Sequence, residues 1–329
     1  MPRLFVLPFI VCALALVAML LWGGFHAFLL AAVLIVLEIT LSFDNAVINA
    51  KVLGKMTPAW QGRFLTWGIL FAVVVTRLVL PILIVAVSVM RSPIAIFHIA
   101  FTDPGAYAVL LSHAKPLIAA FGGAFLMMVA LRYFLDEKKT TYWLAGLERA
   151  LSKVGRIEAF EIAFTLALLG VLAAFLPDPA GVLSAGIVGV VLFTVMEGIA
   201  SAFTLGSAAA GGFALFIYLN VLDAAFSLDG VVGAFAITGL IPVIVVGLGV
   251  GAYFVRSLTL YLVRKKTLDT LAYLEHGAHW AILGLSLAML ASLFVEVPEA
   301  ITGGVGLLFV GAALWSSLRL RAKRASIGT

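Results

Sequence analysis

The chain has 329 residues, of which 64% are hydrophobic and 11% are charged, and its mean hydropathy is +1.20. No soluble domain hides so much apolar surface. The formal net charge of +5 does not indicate a nucleic-acid partner, because basic residues in membrane proteins usually mark cytoplasmic loops. The single cysteine, Cys12, excludes a disulfide framework and a paired-cysteine redox motif.

Apolar runs of membrane-spanning length recur from end to end and predict an all-α polytopic membrane protein with about ten transmembrane helices. The predicted ranges are 4–22, 26–50, 62–90, 116–135, 159–177, 181–203, 211–237, 240–262, 278–295 and 298–318. The first helix resembles a signal peptide, but no small-x-small cleavage site follows it, so we expect it to be retained. The third is long, so either Pro81 kinks it, or it tilts or passes the membrane interface.

Two loops between these helices have a character of their own. Loop 91–115 is the longest outer segment and is expected to cap the outer side. Loop 136–158 resembles a short basic amphipathic helix that lies on the inner membrane surface. His276 and His279, at the inner end of the ninth predicted helix, are expected to be solvated rather than to bind a ligand.

Lysine and arginine fix the orientation of the chain. The basic segments are 51–63, 136–158, 263–277 and the C-terminal tail. Ten helices place all four on one side, whereas an odd number would scatter them. Both termini are therefore predicted to lie in the cytoplasm.

One polar motif occurs twice in this apolar chain. Residues 37–47 and 222–232 both read Leu, acid, three residues, Ser, apolar, Asp. Threading makes the two helices that contain them antiparallel, and two more helices follow each motif. We interpret 26–135 and 211–295 as inverted three-helix repeats, an architecture typical of secondary transporters. Within one transmembrane domain, 1–329, residues 136–210 then form the basic inner loop plus two linking helices, and 298–318 forms the final helix.

Five acids lie inside predicted transmembrane helices, where each carboxylate costs about 2.5–3.5 kcal/mol on insertion scales. They are Glu38, Asp44, Glu197, Asp223 and Asp229. Residues this costly are usually functional, and the alternative is that each is a packed, neutral group. Matched pairs in an inverted repeat favour function.

Helical spacing divides each motif into two parts. Residues on one face are Glu38, Ser42, Asn45 and Asn49 in the first motif helix, and Asn220, Asp223 and Ser227 in the second. On a straight helix, Asp44 and Asp229 lie about 120° away from these faces. Either the helices unwind near 42–44 and 227–229, or the two acids of each motif face different neighbours.

If the motifs converge, their ligand set consists of carboxylate, hydroxyl and amide oxygens, which suits Mg, Ca or Mn. The expected metal ligands are Glu38, Asp44, Asn45, Asp223 and Asp229, and carboxylates without a metal could exchange protons. Arg77 and Arg256 are candidate counter-ions, although Arg256 could instead reach the inner interface. Glu197 is either a fifth ligand, a proton relay or a buried hydrogen-bonded group.

Residues 38–47 resemble the first signature of the TerC family, within the LysE-like transporter superfamily, and 226–229 resemble its second. Arg63, Gly68 and Arg77 also follow a pattern of that family, and the whole chain resembles a bacterial branch whose domain is of unknown function. The resemblance implies an inner-membrane protein linked to manganese export, to metal supply for exported metalloproteins or to tellurium resistance. Its acidic site maps to Glu38, Asp44, Asp223 and Asp229, with Asn45 beside them. Gly230, where many members have a hydroxyl, and four extra helices depart from the family.

We therefore expect a secondary transporter of divalent cations that exports manganese, with calcium or magnesium as alternative substrates. An amino-acid or small-solute exporter is the second reading, and a structural or regulatory membrane protein is another. An intramembrane aspartyl hydrolase ranks lower, because the Tyr-Asp and Gly-x-Gly-Asp signatures are absent. Neither an enzyme nor a resident cofactor is predicted. The expected partners are the cation and the lipid bilayer, and the oligomeric state, including a homo-oligomer, is left open.

Overall fold

The computed structural model describes residues 3–204 and 208–327, and every regular element in these ranges is a helix. The elements are α1 (Arg3–Leu41), α2 (Phe43–Leu53), α3 (Pro58–Leu70), a π-helical segment (Phe71–Val79), α4 (Leu80–Ser88), α5 (Pro93–Thr102), α6 (Pro104–Phe134), α7 (Ala145–Val154), α8 (Phe160–Ala173), α9 (Pro179–Thr204), α10 (Ala208–Ile237), α11 (Ile241–Arg264), α12 (Thr267–Thr270), α13 (Leu274–Ala291) and α14 (Glu299–Ile327). The predicted all-α class is confirmed. Residues 205–207, at the end of the predicted linking region 136–210, lie outside the described residues.

Seven helices in the described ranges are long and apolar enough to cross a membrane. They are Leu4–Leu41, Pro58–Ser88, Pro104–Phe134, Pro179–Ile199, Gly212–Phe235, Ile241–Arg264 and Ile301–Lys323. Large apolar side chains on these helices are exposed, among them Leu21 at 82% and Leu308 at 67%. Such surfaces are stable against lipid rather than water, so the chain is a multi-pass membrane protein.

The first of these helices folds back on itself at Gly24. Gly24 has φ 68° and ψ −166°, a backbone conformation that glycine adopts at no steric cost. The contacts that give the direction of the two halves are Phe5 with Tyr261, Phe9 with Phe254, Leu34 with Gly247 and Glu38 with Gly251. Residues 3–23 therefore run antiparallel to α11, whereas residues 25–41 run parallel to it.

The helix that contains the first motif is interrupted at Ser42. This residue has φ −97° and ψ 17° and separates α1 from α2. In the second motif, α10 continues without interruption through residues 227–229. The predicted unwinding is thus found in the first copy and not in the second.

The long third predicted helix is one continuous run of α3, the π-helical segment and α4. Pro81 lies in the first turn of α4, directly after the π-helical segment. Proline has no N–H to donate, and wider π-helical turns often form at such positions and near functional sites. The segment contains Arg77, whose side chain is 3% exposed.

One boundary differs from the sequence prediction because of a helix cap. The fourth predicted helix was expected to begin at 116, but α6 begins at Pro104, and Pro116 lies inside it. The Asp103 carboxylate accepts a hydrogen bond from the Ala106 N–H at 3.0 Å, which is a standard N-cap followed by proline. Loop 91–115 is consequently helical, as α5 and the first part of α6. Loop 136–158 contains the expected short helix, α7.

Candidate cation site

A partly enclosed cavity of about 30 Å³ lies where the first motif, the second motif and the last helix meet. Its walls are formed by Glu38, Leu41, Ser42, Asp44, Asn45, Phe226, Asp229, Gly230, Leu285, Thr302, Gly303 and Gly306. Five of the predicted site residues, namely Glu38, Ser42, Asp44, Asn45 and Asp229, therefore border one small space. The remaining walls are Leu41 of α1 and residues of α10, α13 and α14, of which Thr302 has a polar side chain.

Asp44 and Asp229 are the two carboxylates of this cavity without an ion pair among the described residues. Asp44 lies in the first turn of α2 and is 5% exposed. It accepts a hydrogen bond from the Asn45 N–H at 2.8 Å, and the helix N-terminus favours its negative charge. Because α2 begins only after the interruption at Ser42, Asp44 reaches the cavity that also contains Glu38.

The other two motif acids are paired with buried arginines. Glu38 forms an ion pair with Arg77 of the π-helical segment. Asp223 forms one with Arg256 of α11, at 2.8 Å. All four residues are less than 5% exposed. Glu38 and Asp223 are therefore neutralised within the protein, and Arg256 does not reach the inner interface.

Arg256 has a site built for it by α3 and α10. Its guanidinium donates to the Phe64 carbonyl at 3.3 Å and to the Asn220 side-chain oxygen at 3.2 Å. It also lies over the Phe64 ring, 4.3 Å from the centroid, which is a favourable cation–π geometry. A Cβ at Gly68 would overlap the guanidinium, so Gly68 leaves the space that Arg256 needs.

Asn45 joins the cavity to the Asp223–Arg256 pair. Its Nδ2 donates to Asp223 Oδ1 at 3.0 Å, and its Oδ1 accepts from Asn49 Nδ2 at 2.7 Å. Asn49 and Asn220, two of the predicted supporting residues, thus belong to one buried hydrogen-bond network around Asp223. The network positions Asn45 next to Asp44.

The contacts between the two motifs are reciprocal. Aligning the motifs makes Glu38 equivalent to Asp223 and Asn45 equivalent to Gly230. Asn45 contacts Asp223, and a Cβ built on Gly230 would lie 3.5 Å from Glu38 Oε2. In each case, the residue seven positions after the acid of one copy approaches the acid of the other copy.

Several buried polar atoms beside the ion pairs have no hydrogen-bond partner among the described residues. They include Thr76 Oγ1, Arg77 Nε, Arg256 Nε and Ser257 Oγ. Buried polar groups in folded proteins are normally hydrogen-bonded to protein or ordered water. The arginine pairs therefore lie beside polar atoms that can still form hydrogen bonds.

Besides Arg256, six predicted residues do not border the cavity. Asp223, Asn49, Asn220 and Arg77 take part in the networks just described, and Ser227 is buried in α10. Glu197, proposed as a fifth ligand or relay, lies elsewhere. It pairs with Arg132 at 2.5 Å and lines a separate cavity of about 680 Å³, together with Lys51 and Glu275.

The sequence predicted one site with four carboxylates, and the structure arranges the four differently. Within the described residues, no three His, Cys, Asp or Glu side chains are close enough to form a metal cluster. The cavity is instead bordered by the unpaired carboxylates of Asp44 and Asp229 and by the Glu38 carboxylate, which is paired with Arg77. The Ser42 hydroxyl and the Asn45 amide also border it. Sequence reasoning also missed the residues of α14 in the cavity wall, because they belong to no motif.

A second buried carboxylate, Glu148 of α7, lies outside the membrane-spanning helices. It is fully buried and accepts hydrogen bonds from the N–H groups of Trp143 and Leu144, both at 3.3 Å, and from Trp280 Nε1 at 3.1 Å. His276 Nδ1 and Lys139 Nζ lie 2.8 Å and 3.2 Å from its Oε2.

These partners change the acidity of Glu148. Burial alone would raise the pKa of Glu148, but the hydrogen bonds from His276 and Trp280 and the charges of His276 and Lys139 lower it to about 2. The prediction that His276 and His279 are solvated was wrong, since they are 3% and 6% exposed. The His279 ring is stacked on Tyr133, with the ring centroids 3.6 Å apart.

The fold and the cavity define a class of protein: a multi-pass, all-helical membrane protein. It has buried acid–arginine pairs beside a cavity that is bordered by two carboxylates without an ion pair. Residues 43–324 match the family described as "Protein of unknown function (DUF475)", and the chain belongs to this family. No curated protein and no solved structure matches the chain.

Proposed function

We propose that the protein is a secondary transporter of divalent metal cations, with manganese export as its expected activity. The cation binds between Asp44 and Asp229. The observation that supports this most directly is that two carboxylates without an ion pair border one small, partly enclosed cavity in a membrane protein. Ionisable groups in such positions usually mark an ion or substrate pathway.

Charge balance favours a divalent ion over other substrates. The Glu38–Arg77 and Asp223–Arg256 pairs are each neutral, so the ionised motif groups together have a formal charge of −2, from Asp44 and Asp229. One divalent cation cancels this charge, whereas a zwitterionic amino acid does not. The ligands are oxygens, which suit Mg, Ca or Mn, and the resemblance to the TerC family favours Mn among them.

The size of the cavity also favours a small ion. A water molecule needs roughly 10–15 Å³ of cavity volume, so a cavity of about 30 Å³ holds two or three particles the size of a water molecule. An ion with a full octahedral shell of waters would not fit, and neither would an amino acid. The cation therefore loses most of its water, and oxygens of Asp44, Asp229, Ser42 and Asn45 replace it.

We further propose the architecture of a TerC-like member of the LysE superfamily. The reciprocal contacts of the two motifs and the equivalent ion pairs support inverted repeats at 26–135 and 211–295. Ten membrane crossings follow if residues 25–41, α8 and α13 cross in addition to the seven long helices. The lysine and arginine bias then places both termini on the cytoplasmic side of a bacterial inner membrane.

An intramembrane aspartyl hydrolase is the second candidate, because Asp44 and Asp229 border the same cavity, as a catalytic pair would. Two carboxylates that share a proton can activate water. Against this reading, a cavity of about 30 Å³ has no room for a peptide bond with its flanking residues.

Transport by purified protein in proteoliposomes tests the proposal. We expect Mn²⁺ flux by the wild type, and a more than roughly 100-fold loss in the double variant Asp44→Asn with Asp229→Asn, since even outer-shell changes cost 10–100-fold in metal affinity. The matched control is Asp103→Asn with Asp178→Asn, two exposed helix caps that asparagine also satisfies. Wild-type rates in the cavity variant would refute the site, and absence of any divalent flux in the wild type would refute the function.

A further inference from the structure

The last helix, α14, completes the wall of the acid cavity although it lies outside both predicted repeats. Thr302, Gly303 and Gly306 border the cavity at one end of α14. The spacing of 302, 303 and 306 places these residues on one face of the helix. A helix with no polar motif therefore contributes directly to the space in which the cation is proposed to bind.

The two glycines have different roles. A Cβ at Gly303 would overlap the Leu41 side chain, so this glycine permits the close approach of α14 to α1. A Cβ at Gly306 would have its nearest neighbours at 3.8 Å, Asp44 Oδ2, and 3.9 Å, Ala281 Cβ. Both distances are ordinary van der Waals contacts, so helix packing does not require a glycine at 306.

We propose that Gly306 is a specificity-determining residue: its missing side chain leaves the space beside Asp44 Oδ2 in which the cation is bound, and this sets the largest cation that the site accepts. The inference rests on the proposed function, a cation transporter that uses Asp44 and Asp229. It names a determinant of substrate size on a helix that the motifs do not include.

Bond lengths give the physical basis. Calcium binds oxygen at about 2.3–2.6 Å, with six to eight ligands, and magnesium at about 2.0–2.1 Å, with six. A methyl carbon 3.8 Å from Asp44 Oδ2 would therefore meet an ion bound to this oxygen on the side of α14. The larger ion needs more space and more ligands, so a methyl group excludes it more strongly than the smaller one.

Gly306→Ala tests the inference directly, with Gly304→Ala as its matched control. Both changes put one methyl group on α14, and a Cβ at Gly304 would have no neighbour within 4 Å. Alanine is the better helix former, so both variants should fold. Calcium, magnesium and manganese are titrated separately into each purified protein, and metal-free thermal unfolding checks the fold. Gly306→Ser, with a side chain of similar size, is a second variant if the first does not fold.

We expect Gly306→Ala to lower the affinity for Ca²⁺ by about tenfold or more, and the affinity for Mg²⁺ by clearly less, while Gly304→Ala changes neither. An unchanged ratio of Ca²⁺ to Mg²⁺ affinity in folded Gly306→Ala protein would overturn the inference. In that case, loss of binding in the variant with Asp44→Asn and Asp229→Asn would still support the proposed function. A wild type that binds none of the three cations would overturn both.

Discussion

The cavity beside Asp44 and Asp229 and the environment of Glu148 both contain buried carboxylates, but these carboxylates differ in the number of their hydrogen bonds and ion pairs. Glu148 has four hydrogen bonds and an ion pair with Lys139. Asp44 has one hydrogen bond, from the Asn45 N–H, and Asp229 has neither a hydrogen bond nor an ion pair with another described residue. Glu148 is enclosed by its partners, whereas the two aspartates border a small cavity.

This difference separates a structural carboxylate from one available to a ligand. A buried charge is stable when hydrogen bonds and an opposite charge replace its water, and Glu148 has both. It ties α7 to α13 through His276 and Trp280. Asp44 and Asp229 form no ion pair among the described residues, so a bound cation is the group that would complete their environment. Burial alone therefore does not distinguish the two kinds of carboxylate, whereas the number of their partners does.

The largest effect is expected from Glu148→Ala. The change leaves Lys139, His276 and Trp280 without their shared acceptor, and removing one member of a buried charge pair costs about 3–5 kcal/mol. Thermal unfolding in detergent measures the loss, with Glu137→Ala, an exposed neighbour in the same loop, as the control. If both variants unfold at the wild-type temperature, the Glu148 cluster does not stabilise the fold.

Asp44→Asn should have the opposite profile. It removes a buried charge without an ion pair, so the metal-free protein should be at least as stable as the wild type. The stabilisation of the wild type by Mn²⁺ should disappear, which is about 2.7 kcal/mol at a metal concentration of 100 times the dissociation constant. Unfolding with and without Mn²⁺ measures this, with Asp178→Asn as the control. Equal protection of Asp44→Asn and wild type would place the cation elsewhere.

The all-helical, membrane-spanning class could be predicted from the sequence, since apolar runs of spanning length are visible in the order of the residues. The boundary at 116 was wrong although the signal was present: Asp103 followed by Pro104 is a cap that starts a helix. The repeated acids were also found. Which of these acids pair with an arginine could not be predicted. Helical angles show that Asp223 and Asp229 point in different directions, but they do not show which residues each side chain contacts.

Other features of the site depend on contacts between distant segments. Gly306 belongs to the cavity because α14 packs beside Asp44, and no local pattern marks it. Glu148 lies in a charge-rich loop that reads as exposed, and its partner His276 is 128 positions away. The sequence left open whether the helix is interrupted at Ser42. A straight helix and an interrupted one have the same residues at the same sequence spacing, so the pattern cannot distinguish them.

The smallest expected effect is the acid sensitivity that Glu148 gives to the fold. Its pKa is about 2 in the folded protein, below the ordinary value of 4.5, so its stabilisation is complete above pH 4.5 and is lost as the pH falls towards 2. At pH 3.5 the loss is about 1.4 kcal/mol, because the unfolded chain binds the proton more tightly. Other carboxylates titrate in the same range, so the measurement is the difference between wild type and Glu148→Gln. The variant should lose less stability than the wild type between pH 6 and pH 3.5. Equal losses in the two proteins would mean that the charge of Glu148 does not stabilise the α7–α13 contact, and the contrast with Asp44 would then rest on packing alone.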